Sequence, residues 1–432
     1  MSAKSIQSCV PAFEFGNLNQ SVVLAKDTVV IEIDSNTYTG NGEVRLDLLP
    51  RANVHVYGDF QGIPSTIALN CMFNHKKISS LSFGGMAIPG FRLDIGGDAN
   101  QETMTLKWSP KSEPIVGIGD DSTTMQRLVF HLFNFKDILG TANLGTNDWQ
   151  VELRPLTETS DRFKKLKAEG GYALTHIGCL RKTDGSNFSG KEAAEKLRAL
   201  RFFISFAKGI WCEPVCAVGF DKSDNRIWES WLSPRESWHS PISWFDPHHC
   251  EQLANLFSGF MMRWDDENWR DALREVIYWY LNANYSPRGI DAGIILTQAA
   301  IERLSYEYAV KDKKLIEAKG FKDLRASDKF RLLFSSLDIS IDIPIDVPKL
   351  KELAQQFNWL DAPHTLTEVR NSLVHPEHKQ RGQFRSAIYE TWKLGLWYLE
   401  LSLLRICGYS GTYSNRLVSE WVGQVEDVPW KK

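Results

Sequence analysis

Val29-Val30-Ile31-Glu32-Ile33, a polar stretch through Asn36, Gly40, Asn41 and Gly42, and then Glu43-Val44-Arg45-Leu46-Asp47-Leu48 set the fold class of the first half of this chain. Side chains alternate with a period of two, β-branched residues dominate, and the residues between the runs are turn formers, so the segment reads as two paired strands. Working outward, the same signal recurs at 54–57, 78–83, 91–95, 104–108, 127–133, 149–154 and 172–180. Gly, Asn, Asp or Pro separates most of these runs, at the spacing of a sandwich or barrel. Residues 1–185 are therefore expected to form a β-rich, sandwich-like N-terminal domain.

Beyond it the period changes. Ser189 with Glu192 makes a capping box, and Ala193, Leu197, Leu200 and Ile204 continue as a helical stripe that ends at Gly209. Short strands at 216–220 and 226–232 follow, then a stretch rich in Pro and Trp through Trp238, Pro241, Trp244 and Pro247. Residues 186–260 read as a small α/β connecting segment, either completing the first domain or bridging to the next. From about Phe257 the pattern is helical. Trp269, Leu273, Val276, Ile277, Tyr280 and Leu281 share one face, as do Ile294, Ile301, Leu304 and Tyr308, with Asp291 as the expected N-cap. Phe330 to Leu337 and Leu350 to Phe357 predict two more helices, a helix from about Leu366 follows, and a long apolar one spans about 384–406. The fold class is α+β multidomain, with an α-helical bundle over 261–432.

The composition narrows the function classes. At 432 residues the chain exceeds one core and predicts two or three domains. Apolar content of 43% with 24% charged residues is that of a soluble globular protein, and the 15 Trp supply large buried side chains or stacking surfaces. A net charge of −3 means that any nucleic-acid partner must be held by a local basic patch. Seven scattered Cys, an odd number, predict reduced thiols in a cytoplasmic protein. Residues 1–16 lack the pattern of a signal peptide, and Glu400 and Arg405 interrupt the most apolar run, so no membrane span is expected. Gly84-Gly85 and Gly96-Gly97 are turn glycines, because neither pair leads into a Gly-Lys-Ser or Gly-Lys-Thr helix start.

One stretch reads as chemistry: Val369-Arg370-Asn371-Ser372-Leu373-Val374-His375-Pro376. A His moves protons well near neutral pH, at a ribose 2′-OH or a leaving oxygen. An Arg meets the negative charge that gathers on a pentacoordinate phosphorus. The pair thus suits RNA cleavage without a metal. Arg51–His55, Arg127–His131 and Arg235–His239 each have three residues between, whereas Arg370 alone is followed by a His with four to six between. The plain alternative is an Arg on a solvated helix face and a His at a helix C-terminus, where a cation is favoured anyway. Pro376 disfavours helical geometry at His375, which places the imidazole at the helix end. Downstream, His378, Lys379, Arg381 and Arg385 face only Glu377 as an opposing charge and are candidate RNA contacts. In a second basic stretch, from Lys311 to Arg325, Asp312, Glu317 and Asp323 are interleaved, which predicts a solvated helix or turn. Cys212, Cys216, His248, His249 and Cys250, with His239, are zinc-ligand candidates, since thiolates and imidazoles from separated hairpins suit a tetrahedral ion. Buried free thiols and a polar loop explain them equally well.

Ile301-Glu302 lies in the bundle's second helix, and Arg370-Asn371-x-x-x-His375 precedes a long hydrophobic last helix. In this the segment from about Glu267 to Tyr409 resembles a HEPN domain. With a β-rich domain ahead of it, the arrangement is most similar to the ApeA-like anti-phage branch. The resemblance implies a metal-independent endoribonuclease that needs no cofactor and leaves a 2′,3′-cyclic phosphate and a 5′-hydroxyl. Arg370 would stabilise the phosphorane, His375 would act as general base or acid, and Asn371 would orient the imidazole or the phosphate. Glu302 is a supporting candidate that would pair with Arg370. The partners implied are RNA, tRNA among the candidates, and a second copy of the chain in a homodimer or larger even-numbered oligomer. The N-terminal domain would sense a phage-derived trigger or restrain the nuclease in abortive infection. The apolar excess of Trp392, Leu396, Trp397, Leu399, Leu403 and Leu404 predicts burial of the last helix against that second copy. The rival reading is a non-catalytic HEPN-type module that binds a nucleotide or partner beside a ligand-recognising β domain. A third is a carbohydrate-binding sandwich fused to a dimerisation bundle, suggested by the Trp-rich stretch from Trp228 to Trp244.

Overall fold

The computed structural model describes residues 9–73, 77–98, 101–157, 159–285, 289–375, 377, 382–418 and 421–431. In chain order the first elements are β1 (Val22–Ile33), β2 (Asn36–Asp47), β3 (Asn53–Gln61), α1 (Ser65–Met72), β4 (Ile78–Phe83), β5 (Met86–Ala87), β6 (Gly90–Gly96) and β7 (Thr103–Pro110). Then come β8 (Ile115–Ile118), β9 (Thr124–Met125), β10 (Arg127–Phe133), β11 (Ala142–Gly145), β12 (Trp149–Pro155), α2 (Thr159–Glu169), β13 (Leu174–Lys182), β14 (Phe188–Ser189), α3 (Gly190–Lys208), β15 (Val215–Phe220) and β16 (Arg226–Trp231). The rest is chiefly helical: α4 (Glu251–Asp265), α5 (Glu267–Asn284), α6 (Ile290–Tyr306), α7 (Ala318–Asp323), α8 (Ala326–Ser336), α9 (Pro348–Phe357), α10 (Ala362–Val374) and α11 (Ile388–Ile406), closed by the short pair β17 (Thr412–Tyr413) and β18 (Glu426–Asp427).

The chain divides into two compact units, one of residues 1–137, 151–197 and 213–238, the other of 138–150, 198–212 and 239–432. The expected connecting segment 186–260 is therefore not a body of its own. Its strands β15 and β16 belong to the first unit, and the boundary falls inside α3.

In the first unit one antiparallel sheet runs β5-β4-β1-β2-β3-β7-β6. The quoted segment is its central hairpin, with Val29 opposite Gly40 and Ile31 opposite Tyr38. Alternation does what it predicts: Val29, Ile31, Ile33, Val44 and Leu46 are buried, while Val30 and Glu32 stay partly exposed. Within this unit a second sheet runs β12-β13-β10-β15-β16-β8. Its Val129, Phe133, Val215, Val218 and Trp231 enter one apolar cluster with residues of the first sheet such as Ile31, Val56 and Trp108. The unit is thus β-rich with two sheets sharing a core. Every residue of β10 is buried, so both faces of that strand are covered.

In the second unit Asp266 caps α5, its side chain accepting from the N–H groups of Asn268 and Trp269. The stripe read from the sequence, Trp269 to Leu281, is the buried face of that helix. At α6 the N-cap is Gly289, whose φ of 96° glycine tolerates, and Asp291 lies in the first turn instead of capping it. Helix α6 packs on α5, α8, α10 and α11. From Leu394 to Leu404 every residue of helix α11 is buried, Leu396, Trp397, Leu399, Leu403 and Leu404 included, and Phe334 stacks on Tyr398 with ring centroids 4.2 Å apart. The apolar excess assigned to a second subunit is already covered within one chain. Only Trp392 of that set is half-buried, and its indole N–H donates to the Ala283 carbonyl. Among the described residues no helix is long and apolar enough to cross a membrane.

Candidate functional site

Helix α10 is held at both ends. At its start the Asp361 carboxylate accepts the His364 N–H and is gripped by the Arg331 guanidinium of α8, Nε to Oδ2 at 2.5 Å and Nη2 to Oδ1 at 2.9 Å. This pairing raises the Arg331 pKa further above its ordinary value. Along its length Leu366, Val369 and Ser372 are buried, and the Gln298 side chain of α6 donates to the Leu366 carbonyl. At its end His375 leaves the helix with φ −98° and ψ 112°, the extended geometry that a following proline favours.

The motif rides on this scaffold. Arg370 is half-buried, and its Nη1 donates to Asn371 Oδ1 at 3.3 Å. The His375 N–H donates to the Asn371 carbonyl at 3.0 Å, while the imidazole is exposed. Asn371 is thus the hinge of the trio. Its side chain steadies the guanidinium, and its backbone carbonyl takes the last helical hydrogen bond, from His375. Among the described residues Arg370 and His375 do not hydrogen-bond to each other.

Other candidates fall elsewhere. Glu302 does not pair with Arg370: its carboxylate takes Lys329 of α8 at 2.6 Å, because α6 and α8 lie side by side. Arg385 is exposed on a single 3-10 turn, Arg385–Ala387. His378, Lys379 and Arg381, like Pro376, lie outside the described residues. The second basic stretch is solvated as expected, with Lys311 on Glu307 at 3.4 Å.

The zinc candidates are not brought together, and among the described residues no group of three or more His, Cys, Asp or Glu is placed to hold a metal. Cys212 belongs to the second unit and Cys216 to the first, where burial pushes the Cys216 thiol well up and its Sγ contacts the Leu232 carbonyl at 3.7 Å. His249 bonds Glu251, His239 packs on Tyr285, and the His248 N–H goes to Asp246. Cys250 begins α4, its thiol raised by burial. Trp228, Trp231 and Trp244 are fully buried, and Trp238 is partly buried against Phe163, so these indoles serve the core.

One feature of the second unit was legible only as an oddity. Glu400, which interrupts the apolar last helix, is 1% exposed and pairs with Arg416, itself 2% exposed, at 2.5 Å. A charge inside an apolar helix announces a buried partner without naming it.

Comparison with known proteins links the chain to YopA. Residues 266–427 match the model of the YopA C-terminal domain, and residues 120–241 that of the YopA central domain. The chain is similar to a prophage protein. It is 28% identical over 440 residues to the SPbeta prophage-derived uncharacterized protein YopA of Bacillus subtilis (strain 168), covering 96% of each. No solved structure matches it. The C-terminal match begins at Asp266, the cap of α5, and so spans α5 to α11 with the Arg370–His375 motif inside.

Proposed function

We propose that this chain is a metal-independent endoribonuclease acting in conflict between phage and host. Arg370 and His375 of α10 carry the chemistry, and the β-rich unit senses or restrains. The observation that carries the reading is the end of α10: an exposed imidazole, and a guanidinium steadied by Asn371, on a helix fixed at its start by Arg331. In the reaction His375 removes the 2′-OH proton or returns one to the 5′-oxygen, and Arg370 offsets charge on the phosphorane. The nucleophile comes from the substrate, so the step requires no metal. The prophage origin of the YopA relative is in keeping with a role at that boundary.

One chain offers one such imidazole, whereas transesterification uses both a base and an acid. Two copies on a two-fold axis supply both, and an isologous contact through the end of α10 sets the motifs face to face. The contact belongs to this exposed end, since α11 is consumed inside its own bundle.

The test is incubation of the purified chain with total RNA, followed by mapping of ends. Cleavage with 2′,3′-cyclic phosphate ends, lost in both Arg370→Ala and His375→Ala, is the expected result. Binding of RNA without cleavage would favour the non-catalytic module, and cleavage at the wild-type rate by either variant would sink the assignment.

A further inference from the structure

The described chain begins with a segment pinned to the second sheet of the first unit. The Ala12 N–H donates to His131 Nε2 at 3.0 Å, and His131 Nδ1 donates to the Cys216 carbonyl at 2.9 Å. Both ring nitrogens are therefore used by the neutral imidazole. Phe13 and Phe15 pack on the same ring with centroids 5.8 and 4.6 Å away, and the Arg226 guanidinium lies 5.0 Å from the centre of the Phe13 ring. Three residues before Ala12 this anchoring delivers Cys9 to β13, where it is buried in a small apolar cluster with Ile177 and Cys179, against Leu156. The two side chains thus share one small, buried cluster. The proximity of Cys179 drives the Cys9 thiol up, while that of Cys9 draws the Cys179 thiol down, with Arg181 and Arg127 adding positive charge.

We propose that Cys9 and Cys179 are a dithiol–disulfide pair, a redox modification site that locks the 9–15 segment onto β13. The inference is independent of the nuclease reading. It differs from a lone reactive thiol because the partner cysteine lies in the same buried cluster, and the flanking segment is held by bonds that do not involve sulfur.

The oxidant is a peroxide. The Cys179 thiolate attacks one peroxide oxygen, the O–O bond breaks, and the departing hydroxide takes a proton to become water, leaving a sulfenic acid. Cys9 then gives up its proton and attacks that sulfur, expelling the second oxygen as water. Two S–H bonds and one O–O bond become one S–S bond, and hydrogen peroxide becomes two waters. Both cysteines are 2% exposed, so the oxidant enters when the segment opens locally, beside the exposed Val10.

The experiment uses the full chain, reduced, exposed to hydrogen peroxide, denatured and alkylated, with intact mass counting free thiols and non-reducing peptide maps locating any link. Seven free cysteines should fall to five, with Cys9 and Cys179 in one linked peptide. Cys9→Ser and Cys179→Ser should each lose no pair under the same treatment, and the wild-type map decides the matter even if a variant fails to fold. Seven thiols surviving, a link between other cysteines, a pair still lost in Cys9→Ser, or oxygen added to Cys179 with Cys9 left free would each overturn the proposal.

Discussion

Replacing Glu400 by Gln tests how the helical unit is held together. The carboxylate accepts four hydrogen bonds, from Arg416 Nε at 2.8 Å, Arg416 Nη2 at 2.5 Å, the Tyr280 hydroxyl at 2.5 Å and the Trp244 N–H at 3.2 Å. Arg416 in turn reaches Asn284 Oδ1 and the Ile242 carbonyl, each at 3.1 Å, so this one pair ties the segment after α11 to α5 and α11. A glutamine keeps the shape but removes the charge and turns an NH2 donor toward groups that are themselves donors. Arg416 is then a buried, uncompensated cation, and breaking such a pair from one side costs about 3–5 kcal/mol. Removing both charges, as Glu400→Leu with Arg416→Met, removes the buried cation too, but leaves the Tyr280 hydroxyl, the Trp244 N–H and Asn284 Oδ1 without these partners, at about 1–3 kcal/mol each. Both variants are therefore expected to lose several kcal/mol. Urea unfolding followed by far-UV circular dichroism, with midpoint and slope giving the free energy, reads both. A Glu400→Gln protein within about 1 kcal/mol of wild type would refute the reasoning, because that result requires a buried cation that tolerates losing its partner.

The remaining expectations concern the motif and the first unit. Arg370→Lys keeps a charge but loses the planar fork, and cleavage should fall about 10²-fold with an unchanged unfolding midpoint, measured by initial rates on one RNA. Cleavage should persist in EDTA, and activity that disappears there and returns with magnesium would point to metal chemistry instead. Burial lowers the His131 pKa to about 4 from the ordinary 6.5, and that of His176 to about 3. The unfolded chain therefore takes up these protons first, so each histidine costs stability as pH falls from 6.5 toward its folded value. The loss is about 1.4 kcal/mol per pH unit for each, about 3 kcal/mol in all for His131. Urea midpoints at pH 7.5 and 5.0 check this, and a His131 ring found protonated at pH 5.5 by NMR would contradict it.

Much of the fold was legible because it is written in local spacing. The Ser189–Glu192 capping box forms as read, with the Glu192 N–H on Ser189 Oγ at 3.2 Å and the Ser189 N–H on Glu192 Oε2 at 2.8 Å. Gly209 follows that helix with φ 86°, the left-handed geometry in which glycine ends helices. Helices α1 and α2 were missed. In α1 only Ala68 and Cys71 are buried, and α2 is a polar run with Thr159, Phe163 and Leu166 as its buried residues, too few apolar positions to declare a period.

Sequence alone determined which faces are apolar, where α10 stops, and that Arg370, Asn371 and His375 share its last turn and a half, since each depends on spacing and on Pro376. Tertiary structure decided what meets those faces. It placed Lys329 against Glu302, wrapped α11 in its own bundle, sent Cys212 and Cys216 to different units, and set Cys9 against Cys179 across 170 positions of chain. Periodicity records that a side chain is shielded from water, and burial has no direction. Only the packed chain, in which each covered face has one particular neighbour, settles the partner.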